Sequence, residues 1–151
     1  MKKLVLVIAM VVGIISSNAQ LTERDGKFYD QNNKLYSGTY VEYFDSGSKK
    51  VEMTVVEGMK QGPSTLYFEN GKIKEVRSYS GNMMDGTWLT YDTKGVKTGE
   101  ANYKSGKKHG KWFIWDENGT KRYEMSYNDG AKDSTWTIWD ESGKVVGKKQ
   151  Y

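Results

Sequence analysis

The sequence predicts an all-β protein, an elongated single-layer antiparallel β-meander built from 24-residue β-hairpin repeats. Three observations carry this expectation. Gly38, Gly62, Gly86 and Gly110 recur every 24 residues, and Ser134 stands where a fifth would fall. A second series, Gly47, Gly71, Gly95, Gly119 and Gly143, keeps the same period. Between the two series lie short runs of aromatic and β-branched residues that suit pleated strands. Fixed self-similarity of this kind marks a repeat array, whose units bury apolar surface against their neighbours.

In chain order, the first segment is a predicted secretory leader over residues 1–19. Lys2 and Lys3 precede a 12-residue apolar run, Leu4 to Ile15, and Ser17-Asn18-Ala19 places small residues around a cleavage point after Ala19. The run is shorter than the roughly 20 residues a membrane helix needs. An exported protein, periplasmic or secreted, is the expectation. The chain has no cysteine, so it is held together by packing and strand pairing, without disulfides.

Residues 20–37 follow as an N-terminal cap or half-repeat, with an aromatic pair, an Asn-Asn turn and a short strand ending at Tyr36. Terminal repeats are commonly atypical. The repeat domain spans 38–151, in blocks 38–61, 62–85, 86–109, 110–133 and 134–151. Each block opens with a strand (TYVEYF, PSTLYF, TWLTY, KWFIW, TWTIW), turns at a polar-Gly step such as Glu117-Asn118-Gly119, and returns along a longer strand. Asn-Gly between strands is a strong hairpin signal, because glycine accepts a positive φ without a Cβ clash. A second turn at Gly58, Asn82, Gly106 and Gly130 leads to the next block, and Asn tolerates the left-handed region better than most residues. Pro63 sits near a strand start, where a missing N–H is tolerated. Turn clusters leave no window for a capped amphipathic helix. About eleven short strands are expected.

Alternation assigns the faces. On the second strand of the fourth block, Tyr123, Met125 and Tyr127 share one face, and Arg122, Glu124 and Ser126 share a wetter one. The first strands carry bulk on both sides, Trp112 and Ile114 against Phe113 and Trp115. Each aromatic is expected to pack on its equivalent one block away.

The formal charge is +4; removing Lys2 and Lys3, with no acid in residues 1–19, leaves +2. Lysines are interspersed with acids, so the surface reads as solvated and no nucleic-acid partner is expected. No cofactor or metal is expected: one histidine and no cysteine exclude the usual zinc sets. His109 lies in a polar turn slot. Asp45, Asp92, Asp116 and Asp140 precede the hairpin glycines, where an aspartate accepts local backbone N–H groups. No convergent polar set points to an enzyme.

Two aromatic rows stand out: Tyr40, Trp88, Trp112 and Trp136, broken by Ser64; and Tyr43, Tyr67, Tyr91, Trp115 and Trp139. Packing of the sheet accounts for most of this bulk. The candidate binding residues are Trp112, Phe113, Trp115, Trp136 and Trp139, in the two C-terminal blocks. Met83-Met84 is a further exposed apolar pair.

The pattern GPSTLYFENGK with YSGNMMDG, GTWLTYDTKG with YKSGKKHG, and GKWFIWDENG with YNDGAKD resembles the MORN repeat in its bacterial variant, as found in YwqK-like antitoxins. The resemblance covers residues 38–151. It implies a non-catalytic protein that binds a protein partner, as a scaffold or as an antitoxin- or immunity-like neutraliser. An envelope-associated module that docks a glycan or lipid on exposed aromatics is the alternative. Open sheet edges also make strand addition or a homodimer a candidate mode, with the basic tail Lys148-Lys149-Gln150-Tyr151 guarding one edge.

Overall fold

A computed structural model describes residues 21–151, so the predicted leader lies outside the described residues. β1 (Thr22–Arg24) and β2 (Lys27–Tyr29) form a separate hairpin. All other strands form one antiparallel sheet with no helix among the described residues. The outgoing strands of the five blocks are β3 (Gly38–Tyr43), β5 (Met59–Tyr67), β8 (Gly86–Tyr91), β11 (Gly110–Trp115) and β13 (Ala131–Trp139). The return strands are β4 (Lys49–Val56), β6 (Ile73–Ser80), β9 (Lys97–Lys104), β12 (Lys121–Asn128) and β14 (Val145–Gln150). These ten run side by side in chain order, as a meander should. Two-residue strands β7 (Met83–Met84) and β10 (Lys107–Lys108) pair back onto β6 and β9. The total differs from the eleven expected because these return steps sometimes stand alone and sometimes, in β5 and β13, merge with the strand that follows.

The turns explain why the register holds. At the fourth hairpin, Gly119 N–H donates to the Asp116 carbonyl at 3.0 Å, and Gly119 takes a φ of 78°. The Asp116 carboxylate accepts from the backbone N–H of Asn118 and Thr120, both at 3.0 Å. Asp92 and Asp140 repeat this arrangement. Asp45 does not. Phe44 and Phe68 occupy the equivalent position in the first two blocks, closing the turn through backbone alone. Asp45 falls one residue late, and Asn70 caps the Lys72 N–H instead in the second block.

These bonds predict an acid limb. The Val96 N–H holds the Asp92 carboxyl below its usual value, and the Ser142 hydroxyl does the same for Asp140. A carboxylate depressed in the folded state stabilises above its unfolded pKa of about 3.9 and loses that contribution as pH falls further. Asp92→Asn with Asp140→Asn should flatten the melting temperature profile below about pH 4. An unchanged acid limb would refute this role.

The second turns hang on one another. Gly58, Asn82, Gly106 and Gly130 donate their N–H to the carbonyls of Tyr36, Lys60, Met84 and Lys108, at 2.8 to 3.0 Å. Asn82 takes a φ of 69°, as expected for a glycine substitute, and Ser134 adopts 59° at the fifth opening position. The residue before each of the first three opening positions accepts another turn N–H: Ser37 from Glu57, Gln61 from Gly81, Asp85 from Ser105. His109 is the exception. Its buried Nδ1 makes no hydrogen bond, and the Asp129 carboxylate stands 3.8 Å away. The slot is therefore an acceptor joining neighbouring turns, rather than a simply solvated position.

A single layer has no dry side. Most residues of both faces are half-covered, and the expected wet and dry faces blur. On β12, Tyr123 is exposed while Ser126 is buried, where a bulge separates Glu124 from Ser126 opposite β13. The buried hydrophobic residues are Phe28, Met53, Val55 and Tyr127. Three of them cluster at the N-terminal end, where Phe28 of the β1–β2 hairpin covers Met53 and Val55, flanked by Leu21, Tyr36 and Tyr40. The hairpin is tied down by Phe28 N–H to the Gly58 carbonyl at 2.9 Å and by the Asn82 amide to the Gly26 carbonyl at 2.7 Å.

Candidate functional site

Strand pairing divides the predicted binding residues between the two faces. Trp112 and Trp136 lie on one face, together with Ile114, Tyr123, Met125 and Ile138. Phe113 and Trp115 lie on the other, 5.6 Å apart between ring centroids. Trp139 is near them, sharing the Lys121 ammonium with Phe113. The five do not form one site.

On the first face the rings form a ladder: Tyr79, Trp88, Tyr103, Trp112, Tyr127, Trp136, Tyr151. Successive centroids are 4.6 to 5.7 Å apart. Equivalent tryptophans therefore do not touch, contrary to the expectation that each aromatic packs on its equivalent one block away; a tyrosine from each return strand stands between them. Antiparallel pairing places the return strand between two outgoing strands, so its side chain fills the gap. Each indole also donates to a carbonyl ten residues earlier: Trp88 to Ser78, Trp112 to Asn102, Trp136 to Ser126, at 2.9 to 3.1 Å. Stacked aromatic pairs contribute about 0.5–1.5 kcal/mol each beyond area burial. Exposed ion pairs contribute roughly 0.2–1 kcal/mol each. The ladder therefore outweighs the scattered lysine–glutamate pairs as the source of inter-block cohesion.

A lysine caps the rungs of three blocks; the third has Met84 at that position, and Arg77 lies over Trp88 instead. Lys108 lies over Trp112 and Tyr127, at 4.5 and 4.9 Å, and Lys132 over Trp136 and Tyr151, at 4.8 and 4.6 Å. Lys60 holds the same place in the second block, over Tyr79 at 5.5 Å and Phe28 at 5.6 Å. Ser64 leaves a gap where the three later blocks have tryptophan and the first has Tyr40, and Ser64 is itself buried. Phe28, from the cap, supplies the missing ring. The interruption seen in the sequence is thus completed by a residue outside the repeats.

The opposite face neutralises itself. Lys49–Glu52, Lys97–Glu100 and Lys121–Glu124 pair at 2.8, 3.0 and 3.4 Å, and Lys111 reaches Glu124 at 2.9 Å. Hydrogen bonding from Lys111, helped by Lys121, holds the Glu124 carboxyl below its usual range. Lys97 lies 4.2 Å over Trp115, and Lys121 covers Phe113. These aromatics are roofed by paired charges.

The C-terminal end of the ladder face has no such roof. Ile114, Tyr123 and Ile138 are 43, 40 and 37 % exposed. With Met125, Trp136 and Tyr151 they line an apolar groove of about 350 Å³. Lys132 donates to the Tyr151 hydroxyl at 3.4 Å, and Lys149 lies over the same ring. Partial burial raises the Tyr151 phenol, but the hydrogen bonds and charges of Lys132 and Lys149 leave it below its usual value. The groove therefore sits in a positive field.

The sequence reading found Trp112 and Trp136 but missed Ile114, Tyr123, Met125, Ile138 and Tyr151 as a group. One signal was available: Tyr79, Tyr103, Tyr127 and Tyr151 recur every 24 residues. Three successive segments of the chain, residues 60–80, 84–105 and 108–129, match the MORN repeat variant. The matched segments each begin at or near a ladder-capping position and include the hairpin that follows. No match was found among curated proteins.

Proposed function

We propose that this is a non-catalytic, exported repeat protein that binds a protein partner through the ladder face of its two C-terminal blocks. A scaffold or an antitoxin- or immunity-like neutraliser fits this reading. The observation that carries it is the asymmetry of the ladder face. At the N-terminal end the hairpin covers it with Phe28; at the C-terminal end Ile114, Tyr123 and Ile138 are left in solvent. Contiguous exposed apolar side chains rimmed by polar ones mark interaction surfaces.

Affinity capture from an envelope fraction tests this. Wild-type protein should recover one protein repeatedly, and Ile114→Ser with Ile138→Ser should lose it while keeping the wild-type melting temperature. Recovery of lipid or polysaccharide alone would sink the reading. That outcome would favour the second one, a glycan- or lipid-binding module. Its support is the row of lysines set over aromatic rings, a combination suited to anionic sugars and headgroups. Pairing of two copies through β3 or β14 is a further mode, and Lys148 and Lys149 on β14 oppose it by like-charge repulsion.

A further inference from the structure

We infer that the C-terminal groove takes an extended, acidic peptide segment of the partner whose alternate side chains are apolar. This rests on the reading above and names the chemistry of the contact.

The shape excludes a helix and suits a strand. Two rows of side chains wall the trough, Ile114, Tyr123 and Ile138 on one side, Met125 and Trp136 on the other. Members of the two rows stand two residues apart on their strands, about 6.7 Å. A helix with its side chains is about 10–12 Å across and cannot enter. An extended chain is narrower, and it presents alternate side chains to the same side, about 6.7 Å apart.

The charge selects an acidic segment. Lys132 and Lys149 lie over the groove-lining rings of Trp136 and Tyr151, with Lys108 one rung further along the ladder, and none of the three pairs with a carboxylate among the described residues. The paired residues of this face from β8 to β14 include no Asp or Glu, in contrast to the opposite face. Residues 1–20 of the chain are a poor occupant, since their only charged side chains are Lys2 and Lys3. The concave wall also suits a peptide better than a flat bilayer surface.

The molecule contains a contact of the inferred kind. On the equivalent face of the first two blocks, a short extended strand lays Phe28 into the ladder beneath Lys60, with its backbone N–H on a turn carbonyl. Gly130 closes the equivalent turn, between β12 and β13.

The probe is a dye-labelled peptide of about six residues, a typical strand length, alternating Asp and Phe. Fluorescence anisotropy with the full chain should show saturable binding that weakens with salt. Replacing Asp by Lys, or Phe by Ser, should abolish it. Ile138→Ser, and separately Lys149→Glu, should each weaken binding roughly tenfold while leaving the melting temperature near wild type. Equal binding of the Lys-Phe peptide, or undiminished binding to Ile138→Ser, would overturn the inference. So would binding to equimolar phosphatidylcholine–phosphatidylglycerol vesicles with none to the peptide. If the captured protein still binds Lys149→Glu and Ile138→Ser, the groove inference falls and the partner reading stands. If wild type captures no protein, the partner reading falls, and the peptide series still judges the groove.

Discussion

Phe28→Ala should destabilise the protein by about 3–5 kcal/mol, the range for deleting a buried aromatic side chain. Phe28 is 7 % exposed and stands among Met53, at 7 %, and Val55, at 0 %. Among the described residues this is the one place where the sheet has a second layer. Removing the ring uncovers Met53 and Val55 and opens the rung above Ser64. The loss should concentrate at the N-terminal end, because repeat arrays couple mainly nearest neighbours. Hydrogen exchange should show β1 to β4 losing protection first, with β11 to β13 least affected. Thermal unfolding measures the total. Phe28→Leu, which keeps most of the volume, should recover much of it. A Phe28→Ala protein within about 0.5 kcal/mol of wild type would mean that the cap contributes nothing.

Trp112→Ala should cost about 3 kcal/mol, the low end of the range for a tryptophan because the ring is only half-buried. It removes stacking on Tyr103 and Tyr127, at 5.1 and 5.2 Å, and the indole bond to the Asn102 carbonyl at 2.9 Å. For a chain of this size that corresponds to a fall in melting temperature on the order of 10 °C. Trp112→Phe keeps the stacking and loses the hydrogen bond, so it should cost about 1 kcal/mol. The two variants separate stacking from hydrogen bonding. A Trp112→Ala protein with wild-type stability but lost partner capture would move Trp112 from packing to recognition.

The two substitutions test different supports. Phe28 acts through a dry contact made once, at one end. Trp112 acts through a rung repeated along the sheet. A thin sheet has little apolar surface to hide, and conformational entropy costs about 1–2 kcal/mol per ordered residue. The regular ladder spreads the opposing stabilisation over every block, so no block is expected to fold alone.

Much of this was readable before the structure. The glycine series, the turn residues and the aromatic strands determined an all-β hairpin meander with its strand order, because each of these signals is local. Alternation of period two separated Trp112 and Ile114 from Phe113 and Trp115 for the same reason. Only the tertiary structure decided what lies across from what. Pairing distance, not sequence distance, placed Tyr103 and Tyr127 between successive tryptophans and set the lysines over the rungs. It carried Phe28 across to pack on Met53 and Val55 beneath Lys60, a contact between the cap and the first two blocks that no repeat pattern encodes. It also left Ile114, Tyr123 and Ile138 exposed, because the ladder face is covered by the hairpin at the N-terminal end and has no such cover among the described residues at the other. Exposure depends on what else packs there, and that is a property of the whole sheet rather than of any one of its blocks.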